Sequence, residues 1–227
     1  SSSIANSLAR LSLYGSYNYL TDYMSGFFVF KRNVCIELIE KIDVNGFKFF
    51  YELLAISRGK FKIYEIPFIF KERIHGDSKL DLPVVWDFII SLLHTFIGRI
   101  VPRRAVSFAL VGSTGVLIQL LTIYFLLAVT NFAFETVLPI GVIFAASSNF
   151  IINNILTFRT NKLLGKKFYT GLLKFLLVSS LPIIANVGVT NLFYSQFSTN
   201  TFFSQLVGIF VVFIWNYAAS SKVVWNN

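Results

Sequence analysis

The sequence predicts a partial α/β domain followed by an all-α transmembrane domain of four helices. Three observations carry that prediction. Hydrophobic residues make up 55% of the chain and charged residues only 14%, where a soluble domain carries about 25% charged. Glu135 is the one acidic side chain beyond Asp87. Strand-like and amphipathic helical signals precede residue 80, whereas bilayer-length apolar stretches all follow Arg104.

Read in order, Ile4–Leu13 is a helix with Ile4, Leu8 and Leu11 along one side. Gly26–Phe30 is a short apolar run of β-prone residues, hence a buried strand. Val34–Lys41 and Phe47–Ser57 have amphipathic helical spacing, with Gly59 as the expected C-cap of the second. Lys62–Phe70 alternates as a further strand. Helix, strand, helix, helix, strand is the order of the back half of an α/β domain. The chain opens Ser1-Ser2-Ser3, without an initiator Met or a signal-peptide pattern, and so reads as the middle of something longer. Residues 1–80 are few for a core of their own.

Residues 81–102 form a connector. Apolar side chains at 84, 85, 88, 89, 92, 93, 96, 97 and 100 share a helical face, with Asp87, Ser91, Thr95 and Arg99 opposite. Asp81 is placed to cap this helix, Pro83 sits in its first turn and Pro102 stops it. Such a helix lies in the membrane interface or packs on the preceding domain; entry into the bilayer directly afterwards favours the interface.

Residues 103–227 hold four spans: Ala105–Val129, Thr136–Thr157, Phe168–Tyr194 and Phe202–Val224. Arg103 and Arg104 precede the first, Arg159, Lys162, Lys166 and Lys167 lie between the second and third, and Lys222 ends the fourth. Thr130–Glu135 and Ser195–Thr201 contain no Lys or Arg. The bases thus gather on one side, which the positive-inside rule makes cytoplasmic, with both termini there. The same distribution accounts for the net charge of +9 and argues against nucleic-acid binding. Cys35, the single cysteine, excludes an internal disulfide and is expected as a small buried group. Asn149 and Asn153 share a helix face; they read either as interhelical hydrogen-bonding groups or as a polar path for a lipid head group. Ala105, Ala109, Gly112 and Gly115 read as close helix packing. No Asp or Glu falls at mid-membrane, which speaks against a proton-coupled carboxylate pump.

Two motifs carry candidate chemistry. Asp22-Tyr23-Met24-Ser25-Gly26-Phe27-Phe28 is a polar turn entering the first strand, suited to binding an acceptor or simply to capping the turn. Arg73-Ile74-His75-Gly76-Asp77-Ser78-Lys79 sets two bases around Gly76 and Ser78, as a loop closing over phosphates or a solvated loop near anionic lipid would. Taken with Asn45-Gly46-Phe47-Lys48 and Glu65-Ile66-Pro67-Phe68, in this order, they resemble polyprenol-phosphate glycosyltransferases of the dolichol-phosphate mannose synthase type, family 2 enzymes of GT-A fold. Phe108–Gly115, the run Asn149–Phe158 and Asn216 resemble the GtrA-like four-span domain.

The resemblance implies the C-terminal part of a GT-A domain (1–80), fused to a GtrA-like membrane domain. It further implies transfer of a hexose, mannose or glucose, from a nucleotide-sugar to a dolichyl or undecaprenyl phosphate in the bilayer. Ser25, with Arg10 and Asp22, then matches the acceptor-phosphate site, and Arg73, Gly76, Ser78 and Lys79 match the loop over donor and acceptor phosphates; Ser25, Arg73 and Lys79 are the catalytic candidates. A divalent metal, Mg or Mn, is implied for the intact enzyme. Its Asp-x-Asp ligands do not occur in this chain, and Thr21 stands where relatives often have an arginine. Without a donor half the chain is expected not to turn over alone. The alternative is a non-catalytic GtrA-like module that translocates a polyprenol-linked sugar or recruits a separate glycosyltransferase. A homo-oligomer is left open.

Overall fold

A computed structural model of the protein describes residues 2–42, 48–67, 82–196 and 201–226, with the backbone alone at 2, 181–191, 194, 201, 202 and 205. The chain divides into two compact units, Ser1–Arg103 and Arg104–Asn227.

The front unit contains α1 (Ser2–Ser12), α2 (Arg32–Ile39), α3 (Phe49–Ser57) and α4 (Leu82–Phe96). Its core gathers Ala9 of α1, Leu13, Tyr17, Leu20 and Tyr23 of the segment after α1, Tyr51, Leu54 and Ala55 of α3, and Phe88 and Leu92 of α4. Three tyrosines bring hydroxyls into this core, and each hydroxyl is paired, as burial of a phenol requires. Tyr51 shares a 2.6 Å hydrogen bond with Ser12, and Tyr17 shares one of 2.6 Å with Ser57. Tyr23 donates to the Tyr17 carbonyl at 2.9 Å. A smaller cluster holds Cys35, Ile42 and Leu53; Cys35 is buried and free, as expected. Helix α3 ends at Arg58, which takes the left-handed conformation (φ 48°) expected of Gly59; Gly59 follows at φ 81°.

The expected strands are corrected: among the described residues there is none. Gly26–Phe30 and Lys62–Pro67 form no ladder and take no regular structure, and Phe68–Phe70 lie outside the described residues. A strand exists only when a neighbour completes its hydrogen-bond ladder, and no such neighbour stands beside these segments among the described residues. Val29 is 100% exposed.

The polar face of α4 is also not the solvent face. Ser91, His94 and Thr95 are buried. They surround a buried carboxylate, Glu52 of α3, which accepts from Arg99 at 2.7 Å and Arg103 at 3.1 Å. Arg103 also donates to Ser91 Oγ at 2.8 Å. An exposed apolar stripe of Leu82, Val85, Ile89, Ile97 and Ile100 runs along the other side of α4 and just past its end.

The membrane unit is built of α5 (Arg103–Val129), α6 (Phe134–Ile152), α7 (Lys166–Gln196) and α8 (Thr201–Ala219), α5 beginning at the last residue of the front unit. Both α6 and α8 run on into a single π-turn, Asn153–Thr157 and Ser220–Val224. Among the described residues three helical stretches are long and apolar enough to cross a membrane: Arg103–Val129, Phe134–Thr157 and Leu206–Val224. The third expected span falls on α7, whose 31 residues exceed the required length. Large apolar side chains such as Leu120, Leu121, Tyr124, Phe125, Ile209 and Phe210 stay exposed on these helices. Hydrocarbon, not water, suits such a surface.

At the basic end the helices close on an aromatic plug. Phe158 and Trp225 stack at 4.2 Å between ring centroids, and Phe150 and Phe175 pack beside Trp225. Asn154 ties the plug together. Its amide oxygen accepts from Leu163 N–H at 2.8 Å and Trp225 Nε1–H at 3.1 Å, and its amide nitrogen donates to the Leu163 carbonyl at 3.0 Å.

His94 gives the front unit a pH dependence. Burial, helped by the Arg99 charge, holds its imidazole below the ordinary value of 6.5. The unfolded chain therefore takes the proton more readily, so stability is full above about pH 6.5 and falls as pH drops below it. Thermal melts in detergent, followed by fluorescence from about pH 7.5 to about pH 5.5, should show this loss, and His94→Gln should flatten it.

Candidate functional site

The turn from Thr21 to Phe27 is shaped by short side chains that bond their own backbone, the usual habit of Asp and Ser in turns. Asp22 Oδ1 accepts from the Met24 N–H at 2.9 Å. Ser25 Oγ accepts from the Phe27 N–H at 3.2 Å and donates to the Phe27 carbonyl at 3.1 Å. Both residues thus serve the turn itself, and half-buried Ser25 keeps its hydroxyl near the surface.

What fixes the turn is Glu65, which sequence reasoning placed only as part of a motif. Its carboxylate accepts from the backbone N–H of Thr21 at 2.8 Å and of Asp22 at 3.1 Å, and from the Thr21 hydroxyl. The two motifs, distant in sequence, are therefore one structure. The signal was slight: Glu65 lies two residues before Pro67 in an exposed run without regular structure. Asn6 of α1 closes the other side, accepting from the Tyr23 N–H at 2.9 Å.

Arg10, one helical turn beyond Asn6, is exposed and donates to Asn18 Oδ1 at 3.4 Å. It lies close enough to Tyr23 to act on its phenol: burial raises the Tyr23 pKa, Arg10 opposes the rise and Glu65 adds to it. Arg73, Gly76, Ser78 and Lys79, together with Asn45–Phe47, lie outside the described residues.

Apolar surface borders this corner. Ile4, Leu8 and Leu11 of α1 are exposed, as is Tyr14 just after it. Tyr14 reaches α4, with its ring edge-on to Phe96 at 5.8 Å and its hydroxyl donating to the Phe96 carbonyl. The exposed faces of α1 and α4 therefore belong to adjoining helices of one unit.

Lys48 entered the sequence reading only as the end of the Asn45–Lys48 motif. It sits over the Phe88 ring, 3.6 Å from the centroid, and donates to the Val84 carbonyl at 3.4 Å. Burial lowers its pKa to about 8, against a raising contribution from Asp87. Among the described residues no three His, Cys, Asp or Glu side chains gather as metal ligands would. This part of the chain therefore offers no cradle for the divalent ion that the resemblance implies, and no step below passes through one.

Residues 107–225, more than half of the chain, match the family described as GtrA/DPMS, transmembrane domain. The chain belongs to this GtrA/DPMS family. A dolichol-phosphate mannosyltransferase of Pyrococcus furiosus is 28% identical over 213 residues, which is 91% of this chain and 56% of the relative. The chain thus spans about half the length of that curated relative. A likeness of that extent is longer than the GtrA/DPMS unit and takes in most of the front unit as well.

If Glu65 holds the turn, its loss should be felt at the two amides it binds. Glu65→Ala should speed hydrogen exchange at Thr21 and Asp22 by at least about tenfold, the equivalent of one charge-assisted hydrogen bond. Amides of α3 serve as the internal reference, and equal protection in variant and parent would assign the turn's order elsewhere.

Proposed function

We propose that this chain supplies the acceptor side and the membrane anchor of a polyprenyl-phosphate glycosyltransferase. The observation that carries the reading is the likeness to a dolichol-phosphate mannosyltransferase across both units rather than the membrane unit alone. Arg10 and Ser25 are the residues the reading assigns to the acceptor, because a cation and a hydroxyl are what a phosphate monoester would meet. The apolar faces of α1 and α4 support it too, since the acceptor's prenyl chain remains in lipid while its phosphate reacts.

In this reading a phosphate oxygen of dolichyl or undecaprenyl phosphate attacks the anomeric carbon of a nucleotide-linked hexose. The new carbon–oxygen bond forms as the bond to the nucleoside diphosphate breaks, and configuration inverts. Ser25 and Arg10 hold the acceptor phosphate, and Asp22 shapes their turn. Arg73 and Lys79, in one run with Gly76 and Ser78, neutralise the phosphates of acceptor and leaving group. The nucleotide-sugar, and any Mg or Mn that carries it, belong to a donor-binding part outside this chain.

Joined to such a part, the chain should transfer labelled mannose or glucose to the lipid. Arg73→Ala should lower that rate by at least about tenfold, as expected for one lost charge-assisted phosphate contact, and Ser25→Ala should raise the acceptor concentration needed. Unchanged turnover in Arg73→Ala would remove the loop from the mechanism.

The reading also sets the orientation. The basic segments flanking the spans face the cytoplasm, and both termini lie there. In a Cys35→Ser background, an impermeant maleimide applied to intact cells should label Asn131→Cys and spare Lys162→Cys; the reverse pattern would invert the topology.

A further inference from the structure

The membrane unit is a tandem repeat. One constant displacement along the chain carries the π-turn Asn153–Thr157 onto Ser220–Val224, residue for residue. The defining hydrogen bonds correspond as well: Phe158 N–H to the Asn153 carbonyl at 2.8 Å, and Trp225 N–H to the Ser220 carbonyl at 3.3 Å. The same displacement carries Phe108 to Phe175, Gly141 to Gly208, Asn149 to Asn216 and Phe158 to Trp225. Each pair of helices, α5 with α6 and α7 with α8, leaves from the basic side and returns to it, so the two hairpins are parallel copies.

The copies share the asparagine at 149 and 216 but differ in the partners offered to it, and the difference is chemical. In the second hairpin the Asn216 amide oxygen is satisfied twice, by Ser179 Oγ–H at 3.2 Å and Ser220 Oγ–H at 3.3 Å. In the first hairpin Gly112 stands for Ser179 and Asn153 for Ser220, so both hydroxyl donors are gone. Accordingly, the Oδ1 atoms of Asn149 and Asn153 are buried and have no hydrogen-bond partner among the described residues. Asn153 is only 1% exposed. Asn149 lies flat on Gly115, where a Cβ would come within 2.4 Å of its amide nitrogen, so it cannot turn aside into that helix. A Cβ at Gly112, by contrast, would meet nothing within 4 Å.

A buried amide oxygen without a donor costs stability, and costs more in hydrocarbon than in water. Two of them on one helix face make a pair of buried acceptors without a donor among the described residues. We propose that Asn149 and Asn153 form a binding site, within the membrane, for the hydroxyl groups of a lipid-borne sugar. The acceptors are neutral amides, and no carboxylate lies among the span residues around them to balance a cation; uncharged hydroxyls are therefore the fitting donors. Four residues of helix separate the two by about 6 Å along the axis, so two hydroxyls of one sugar ring reach both. This site stands apart from the turn that carries Ser25, and its test does not require glycosyl transfer.

The repeat supplies its own test. Gly112→Ser with Asn153→Ser copies the satisfied second hairpin into the first. Asn149→Leu with Asn153→Leu removes the acceptors at nearly constant volume. The full chain in phosphatidylcholine nanodiscs is irradiated with an alkyl mannoside carrying a diazirine beside the sugar, and the label is mapped by mass spectrometry. A matched alkyl phosphate reports binding through the chain or the phosphate alone. The site predicts mannoside label in 108–119 or 145–157, reduced at least tenfold in both double variants, with melting temperatures equal to or above the parent's. Equal labelling by the alkyl phosphate, unchanged labelling in the variants, or no label in these segments of the parent would overturn it. So would a lower melting temperature in both variants, because the asparagines would then be structural groups satisfied by water.

Discussion

Hydrocarbon offers no hydrogen bonds, so every polar atom a span carries inward must find its partner within the chain. Most of the membrane unit's polar side chains obey this strictly. Asn154 uses its amide as a short piece of backbone, pairing both ways with Leu163 and still accepting from Trp225. Ser107 and Thr157 pair with each other at 2.6 Å. Thr114 and Thr122 return their hydroxyls to carbonyls of the preceding turn. Against that rule, the buried oxygens of Asn149, Asn153 and Ser221 have no hydrogen-bond partner among the described residues.

The front unit solves a different problem, that of a small core. It offsets its limited apolar volume with hydroxyl-bearing rings whose bonds cross between helices, and with Glu52 held by two arginines. A buried carboxylate contributes little net stability when paired, yet strongly disfavours any arrangement in which a partner is absent. Glu52 therefore specifies where the end of α4 must sit. The polar residues of α4 face inward to complete that cluster, while its remaining apolar stripe faces out.

The sequence made the spans legible because length and apolarity alone decide them, and the helices of the front unit because their periodicity is local. Strands were a poorer inference: Gly26–Phe30 has strand composition, but a ladder depends on a partner that composition at one place cannot report. Helix α4 misled for a related reason. Ser91 and Thr95 look like a solvent face until Glu52, far away in sequence, is seen to need them. At the site, Asp22 and Ser25 were recognisable as a turn, whereas its anchoring by Glu65 depended on folding. The repeat left few identical residues, chiefly a glycine, an asparagine and aromatic rings, and became visible once two π-turns lay at equal displacement.

Those π-turns separate two properties that usually travel together. Each holds one residue more than an α-turn, and each is followed at once by the ring that enters the plug, Phe158 or Trp225. A π-turn takes one residue more than an α-turn to cover about the same rotation, so deleting one residue within either turn would leave a continuous α-helix with the following ring at nearly its original angle. What the extra residue changes is the backbone pairing: the N–H groups of Phe158 and Trp225 each reach the carbonyl five residues back, Asn153 and Ser220. Helix length and ring angle are thus set independently at the basic ends of α6 and α8.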